Sequence, residues 1–245
     1  MRRILIPATL AAALTGAGAA QATGGIMGLS GGVNLWSHDP DGDIRGMDVD
    51  DDLDLDGDSN ANLWLEWRHV VPVAPRLRLE RTGLEQDGSG TVNVDPGVEG
   101  YTLEGDTETD IDLSHTDLTL YWTPFPLPWV DLDIGATGRY FDGSLTVETG
   151  EDTFDQSISG VLPMLYGRAG VDIPGTRVRL EGMLQDLSVG DHSITDTRLQ
   201  VAYKWWYAGA MLGYRDLSVD LDEFDDDVTI DVSFSGPYAG AFLRF

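Results

Sequence analysis

From Gly25 onward, apolar and polar residues alternate one by one in short runs, the period of a β-strand rather than of an amphipathic helix. Ten such segments can be marked: 25–36, 60–70, 76–84, 111–123, 130–141, 159–171, 177–187, 196–205, 207–217 and 228–245. Most are close to the roughly 9 to 11 residues that a tilted strand needs to cross a bilayer. The pattern predicts an all-β chain, an antiparallel up-and-down transmembrane β-barrel of about ten strands, with eight to twelve as the range the spacing allows. An even number of strands places both chain ends on one side.

The connectors sort into two kinds that alternate along the chain. Short ones carry proline or aromatics: 71–75, 124–128, 172–176 and the turn at Trp205-Trp206-Tyr207. The others are mostly longer, polar and acidic: 37–59, 85–110, 142–156, 188–195 and 218–227. Short turns at one end and long loops at the other are the asymmetry of outer-membrane barrels.

The cations fall inside the strands, out of phase with the apolar residues beside them. In the segment from Asn60, Leu63, Leu65 and Trp67 share one face, while Trp64, Glu66 and Arg68 share the other. A charged face cannot meet lipid, where Lys or Arg at the midplane costs about 2 to 4 kcal/mol. The phase therefore predicts a lumen network of Glu66, Arg68, Arg76, Arg78, Glu80, Asp131, Asp133, Arg139, Arg168, Arg179, Glu181, Arg198, Lys204 and Arg215, with Asp196 in the same phase. Arg177 and Arg244 share the in-strand pattern, and Arg45 and Arg81 escape it.

Alternation alone does not say which face is inside. A soluble, lipocalin-like barrel would turn the apolar face inward and the arginines outward. Against that stand the sided loops, the terminal phenylalanine and the aromatics near the short-turn ends: Trp122, Phe125, Trp129, Trp205, Tyr207 and Phe245. Such residues form the interfacial girdle of a membrane barrel.

The first 22 residues have the form of a secretory signal: Arg2 and Arg3, an apolar run from Ile4 to Ala13, and Ala20-Gln21-Ala22 as a cleavage site. The domain reading is thus a signal peptide over 1–22 and a barrel over 23–245. Removing the signal takes away two arginines and no acid, so 15 basic residues become 13 against 42 acidic ones, and the net charge moves from -27 to -29. So acidic a surface argues against nucleic acid as a partner. The absence of cysteine excludes disulfides, a thiol nucleophile and thiolate metal sites.

Several stretches resemble a family of small outer-membrane barrel proteins of Gram-negative bacteria that has no assigned activity. They are Gly24-Gly25, Asp52-Leu53-Asp54-Leu55-Asp56 leading into Asn62-Leu63-Trp64, His69 followed by Pro72 and Pro75, Leu113-Ser114-His115-Thr116-Asp117-Leu118, Leu162-Pro163-Met164-Leu165-Tyr166, Gly213-Tyr214-Arg215 and the terminal Phe245. Where the family carries Glu-His-Pro, this chain has Arg68-His69-Val70. The last strand, with apolar or small residues at alternate positions back from Phe245, resembles the signal read by the outer-membrane assembly machinery. Together the strand pattern and the signal lead to the expectation of a monomer in the cell outer membrane, surrounded by lipid and lipopolysaccharide. The resemblance carries no catalytic residue over.

Two clusters invite chemistry. Asp52, Asp54, Asp56 and Asp58, with Gly57, match the front half of a calcium loop, but Leu63 stands where the bidentate glutamate belongs, so an EF-hand is excluded. What remains is a loose divalent site for Ca or Mg, against a merely solvated acidic loop, and no other cofactor is expected. His115 and Asp117, two apart, share a face and suit either an acid–base pair or membership of the lumen hydrogen-bond network. The functional expectation is a non-enzymatic barrel with a structural or surface-binding role and a mostly closed, charged lumen. Its alternatives are an omptin-like embedded hydrolase and a small-solute or anion pore, the latter at odds with a lumen crossed by long arginines.

Overall fold

In the computed structural model, which describes residues 27–44, 47–48, 57–71, 73–94, 103–125, 127–149, 152–189, 192–221 and 230–245, every regular element is a β-strand. They are β1 (Met27–Ile44), β2 (Met47–Asp48), β3 (Asp58–His69), β4 (Arg76–Thr82), β5 (Glu85–Val94), β6 (Leu103–Asp112), β7 (His115–Trp122), β8 (Val130–Thr149), β9 (Asp152–Asp172), β10 (Val178–Val189), β11 (His192–Trp205), β12 (Ala208–Leu221) and β13 (Ile230–Arg244). All pairings are antiparallel, and neighbours in the wall run β8, β7, β4, β3, β1, β13, β12, β11, β10, β9, with β9 returning to β8 along its whole length. That is a closed ten-stranded barrel. The chain ends seal it: β1 pairs with β13, and Leu29 and Phe245 exchange backbone hydrogen bonds of 3.0 and 2.8 Å.

The ten predicted segments correspond to these ten wall strands, and most of the strands run further at the long-loop end, whereas β4, β7 and β13 stay within the predicted bounds. The connectors expected at 85–110 and 142–156 are largely paired strand. Their Thr and Val content, as in Thr91–Val94 and Thr146–Thr149, suits extended backbone even where acids are frequent. β5 follows β4 after a break at Gly83-Leu84, and β6 leads into β7 across Leu113-Ser114. The break is held by Leu113 N donating to Leu84 O (2.8 Å) and Leu84 N to Ser114 Oγ (3.1 Å). At the other end the turns are tight. Trp206 takes a positive φ of 51° in the two-residue link between β11 and β12, a conformation that costs a side-chain-bearing residue about 1 to 2 kcal/mol.

The inward and outward faces exchange chemistry at one height around the wall. Toward the short-turn end, the outward residues are apolar and exposed, among them Leu65 (48%), Leu79 (47%), Leu165 (71%) and Leu212 (63%). The inward ones at that height are charged and buried, as with Glu66, Arg78, Asp133, Arg168 and Arg198. Toward the long-loop end the phase of the strands is unbroken, yet the outward positions turn polar. The step falls between Leu35 and Ser37 in β1, Tyr140 and Asp142 in β8, Val161 and Ser159 in β9, Leu184 and Asp186 in β10, and Tyr214 and Asp216 in β12. From the step upward the inward residues form an apolar core that includes Trp36, Leu84, Ile194, Leu217, Val232 and Phe234. The lipocalin-like arrangement, with its apolar face inside and its arginines outside throughout, is not the one observed: in the lower belt the apolar residues face outward and the arginines inward.

Candidate functional site

Because β-strand side chains alternate, the acids and cations that are in phase on neighbouring strands meet in the lumen. Among the described residues, the ion pairs join eight acidic side chains to eight cationic ones. The charge of this filling is therefore balanced in a chain that is otherwise strongly acidic.

Three clusters can be distinguished. In the first, Asp196 of β11 accepts from Arg139 (2.8 Å), Arg198 (3.1 Å) and Arg215 (2.6 Å), while Arg139 also grips both oxygens of Asp117 at 2.8 Å. Glu80 bridges onward, taking Arg198 and Arg78. In the second, Glu66 of β3 receives Arg168 (2.9 Å), Arg78 (3.4 Å), Arg68 and the Tyr121 hydroxyl, and Arg168 reaches on to Asp133. The third lies at the short-turn mouth, where Arg179 binds Asp131, Asp172 and Glu181, and Lys204 binds Asp172. Guanidiniums also stack on rings: Arg78 lies 4.8 Å over Trp64, Arg168 5.0 Å over Tyr121 and Arg215 4.5 Å over Trp36.

Of the residues expected in the network, all but Arg76 make an ion pair; Arg76 instead donates to the Thr123 hydroxyl. The structure adds Asp172, Tyr121 and Gln185, brings in Asp117 through Arg139 and Gln185, and gives Asp196 the most guanidinium partners of the first cluster. Arg81 points outward at the upper edge of the apolar belt and donates to Thr116 Oγ1 (3.3 Å). Beside the network, along the wall of β1, β11, β12 and β13, a cavity of about 480 Å³ opens at the short-turn end.

His115 and Asp117 both face inward and are buried. They do not form an acid–base pair: His115 uses Nδ1 on Leu113 O (3.0 Å) and Nε2 on Arg215 (3.4 Å), and Asp117 is taken by Arg139 and Gln185. His115, Asp117 and Asp196 bring ligand atoms within 4.8 Å of one another. Their carboxylates are already occupied by Arg139, Arg198 and Arg215, whose charges repel a metal cation. Asp52, Asp54 and Asp56 lie outside the described residues; Asp58 is exposed and accepts from Ser59 N (2.6 Å).

His38 lies above the apolar belt, flanked by the outward Ser37 and Asp39, and is 1% exposed. Asn60 Nδ2 donates to Glu85 O (3.1 Å) and lies 3.1 Å from His38 Nε2, while Gln86 Nε2 lies 2.9 Å from His38 Nδ1, so side-chain amides meet both ring nitrogens. Burial lowers the imidazole to about 4, against the opposing pull of Asp58 and with help from Arg215, so it is neutral at pH 7.

Six exposed aromatics gather at the short-turn rim, Trp122, Phe125, Trp129, Trp205, Trp206 and Tyr207, while Tyr140 and Tyr214 lie at the upper edge of the belt. Trp122 Nε1 donates to Val73 O (3.0 Å), and Phe245 stacks with Tyr207 at a centroid distance of 6.4 Å.

No protein-family model and no curated protein sequence matches the chain. Among solved structures it is similar to the translocator domain of autotransporter NalP from Neisseria meningitidis, with 11% identity, a TM-score of 0.49 and 97% of each chain covered. It is also similar to Neisserial surface protein A (9% identity, TM-score 0.33, covering 89% of this chain and 97% of the other). A third is Ail, the attachment invasion locus protein of Yersinia pestis, in complex with the heparin analogue sucrose octasulfate (13% identity, TM-score 0.33, 89% and 98% covered).

Proposed function

We propose that this chain is an outer-membrane β-barrel of a Gram-negative envelope, with a lumen sealed by ion pairs and a structural or surface-binding role carried by its polar long-loop extension. The observation that carries the reading is the exchange of inward and outward chemistry at one height. Below it, a wall of exposed Leu, Val, Ile and Trp is costly in water and favourable against acyl chains. Above it, the same strands behave as a water-soluble barrel, apolar inside and acidic outside. The aromatic rim at the short-turn end then sits at the periplasmic interface.

The filled centre of the lumen supports a closed barrel over a pore. Arg139, Asp196 and Arg215 are between 0 and 1% exposed, and Arg198 of β11 reaches Glu80 of β4 on the opposite wall. The embedded hydrolase lacks its acid–base pair once Asp117 is committed to Arg139. Lipid and lipopolysaccharide are the surroundings this reading implies, with Ca or Mg shared between the acidic extension and lipopolysaccharide phosphates. The strand ending in Phe245, which closes the barrel on β1, is the segment the assembly machinery would engage.

The test is fractionation with gel mobility and conductance. The protein should sediment with the outer membrane, migrate faster unheated than boiled, and conduct little in a planar bilayer. Recovery as a soluble periplasmic protein would overturn the membrane reading; steady ohmic conductance would overturn the seal.

A further inference from the structure

The cavity beside the network needs only the barrel for its existence, not the membrane setting. It is bounded on one side by small or apolar inward residues of β1, β11, β12 and β13, and on the other by the guanidinium faces of the network. Along the apolar side, Trp64 and Phe242 face each other at 6.3 Å between ring centroids, with Met211 and Ala202 lining the wall nearby. Of the charged side chains lining it, eight are cationic and four acidic. The chain as a whole carries 15 basic residues against 42 acidic ones. More than half of its basic residues thus converge on one enclosed space, several with their counter-charges set in the network behind them.

At the mouth the cations are less committed. Arg244 makes no side-chain ion pair among the described residues. Arg68 has Glu66 as its ion-pair partner and keeps 41% of its side chain accessible. Strand register sets these two on either side of β1, Arg68 opposite Gly28 and Arg244 opposite Ser30. Gly28 leaves the space between them open. Trp206, Tyr207 and Phe245 line the entrance, so one opening presents both cationic and aromatic surface.

We propose that this vestibule is a binding site for a small amphipathic organic anion, an aromatic carboxylate being the simplest case, entered from the short-turn end. The carboxylate lies between Arg68 and Arg244 over Gly28, and the apolar body packs on Trp64, Phe242 and Met211. A volume of about 480 Å³ is within the range of small-molecule sites, which combine apolar walls with a few placed charges. A neutral analogue forfeits the guanidinium contacts, and a cation meets the net positive lining.

The experiment uses the full barrel refolded in lipid nanodiscs, its folding checked by heat-dependent gel mobility, with 6-fluoro-2-naphthoate as probe followed by its fluorine resonance. Empty nanodiscs supply the partition background. The expected result is saturable binding of the carboxylate, at least tenfold weaker binding of 6-fluoro-2-naphthamide, and none of the corresponding naphthylmethylammonium. Gly28→Leu should block the mouth: a Cβ there meets only Phe245 O at 3.7 Å and Arg68 Cβ at 3.9 Å, so the strand tolerates it. Arg244→Gln removes the uncommitted cation. Each should weaken the carboxylate at least tenfold while leaving the gel shift unchanged. Equal binding of carboxylate and amide, unaltered affinity in both variants, or no signal beyond empty nanodiscs would overturn the proposal. A loss of the gel shift in the wild-type protein would instead count against the membrane barrel itself.

Discussion

Asp196 shows what a single residue does in this lumen. Three guanidiniums point at one carboxylate that is 1% exposed, so removing it leaves Arg139, Arg198 and Arg215 facing each other in a medium that screens poorly. Deleting one member of a buried ion cluster typically costs about 3 to 5 kcal/mol. Asp196→Ala should therefore lower the urea midpoint of the refolded barrel by that equivalent, whereas Asp58→Ala, on an exposed acid, should leave it unchanged. His38 gives the pH counterpart. Its folded value, about 4, lies below its unfolded one, so its contribution to stability is complete above about pH 6.5 and is lost as pH falls toward 4. The difference in unfolding midpoint between wild type and His38→Gln should shrink between pH 7 and pH 5; a difference independent of pH would contradict the neutral buried imidazole. The phase of the arginines was readable from sequence, since it needs only the strand period. Their partners were not, because which carboxylate meets which guanidinium depends on the stagger of strands far apart in the chain, as Arg168 with Glu66 illustrates.

At the scale of the element, β9 carries the whole argument in one strand. From Val171 back to Val161 its outward positions are apolar or small, and at Ser159 they turn polar without a break in pairing. A charge placed at Leu165, near the middle of the belt, should cost about 2 to 4 kcal/mol, and near the interface almost nothing. Leu165→Arg should accordingly slow or prevent folding into vesicles, while Ser159→Arg folds as wild type. Glycines in these strands have a separate reason, which is room for a lumen aromatic. Gly32, Gly209 and Gly213 stand directly opposite Trp64, Phe242 and Tyr238, and a Cβ at Gly213 would lie 2.5 Å from the Tyr238 ring. Gly213→Ala should thus lower the urea midpoint, and Tyr238→Leu should restore part of the loss. The ends of the elements were the least legible feature. The acidic stretch 142–156 reads as a loop, yet 142–149 pairs with 152–159 as strand, because an antiparallel face open to water accepts polar side chains.

For the whole molecule, the strand count, closure and sidedness followed from spacing, because ten alternating runs with alternating short and long connectors leave few arrangements. The position of the chemical exchange did not. It requires knowing which residues of neighbouring strands share a height, and the register supplies that. The vestibule was hidden for the same reason: Gly28, Arg68 and Arg244 are unremarkable apart and meet only when the last strand closes on the first. The absence of cysteine allows the central claim to be probed directly by single-cysteine spin labels along β9 in lipid vesicles. Labels at Val161, Leu165, Ala169 and Val171 should be relaxed by oxygen and shielded from a water-soluble nickel chelate. A label at Ser159 should show the reverse, and labels at Met164 and Tyr166 should be immobile and reached by neither. Chelate access at Leu165, or oxygen access at Met164 and Tyr166, would contradict the lipid-facing belt and the closed lumen together.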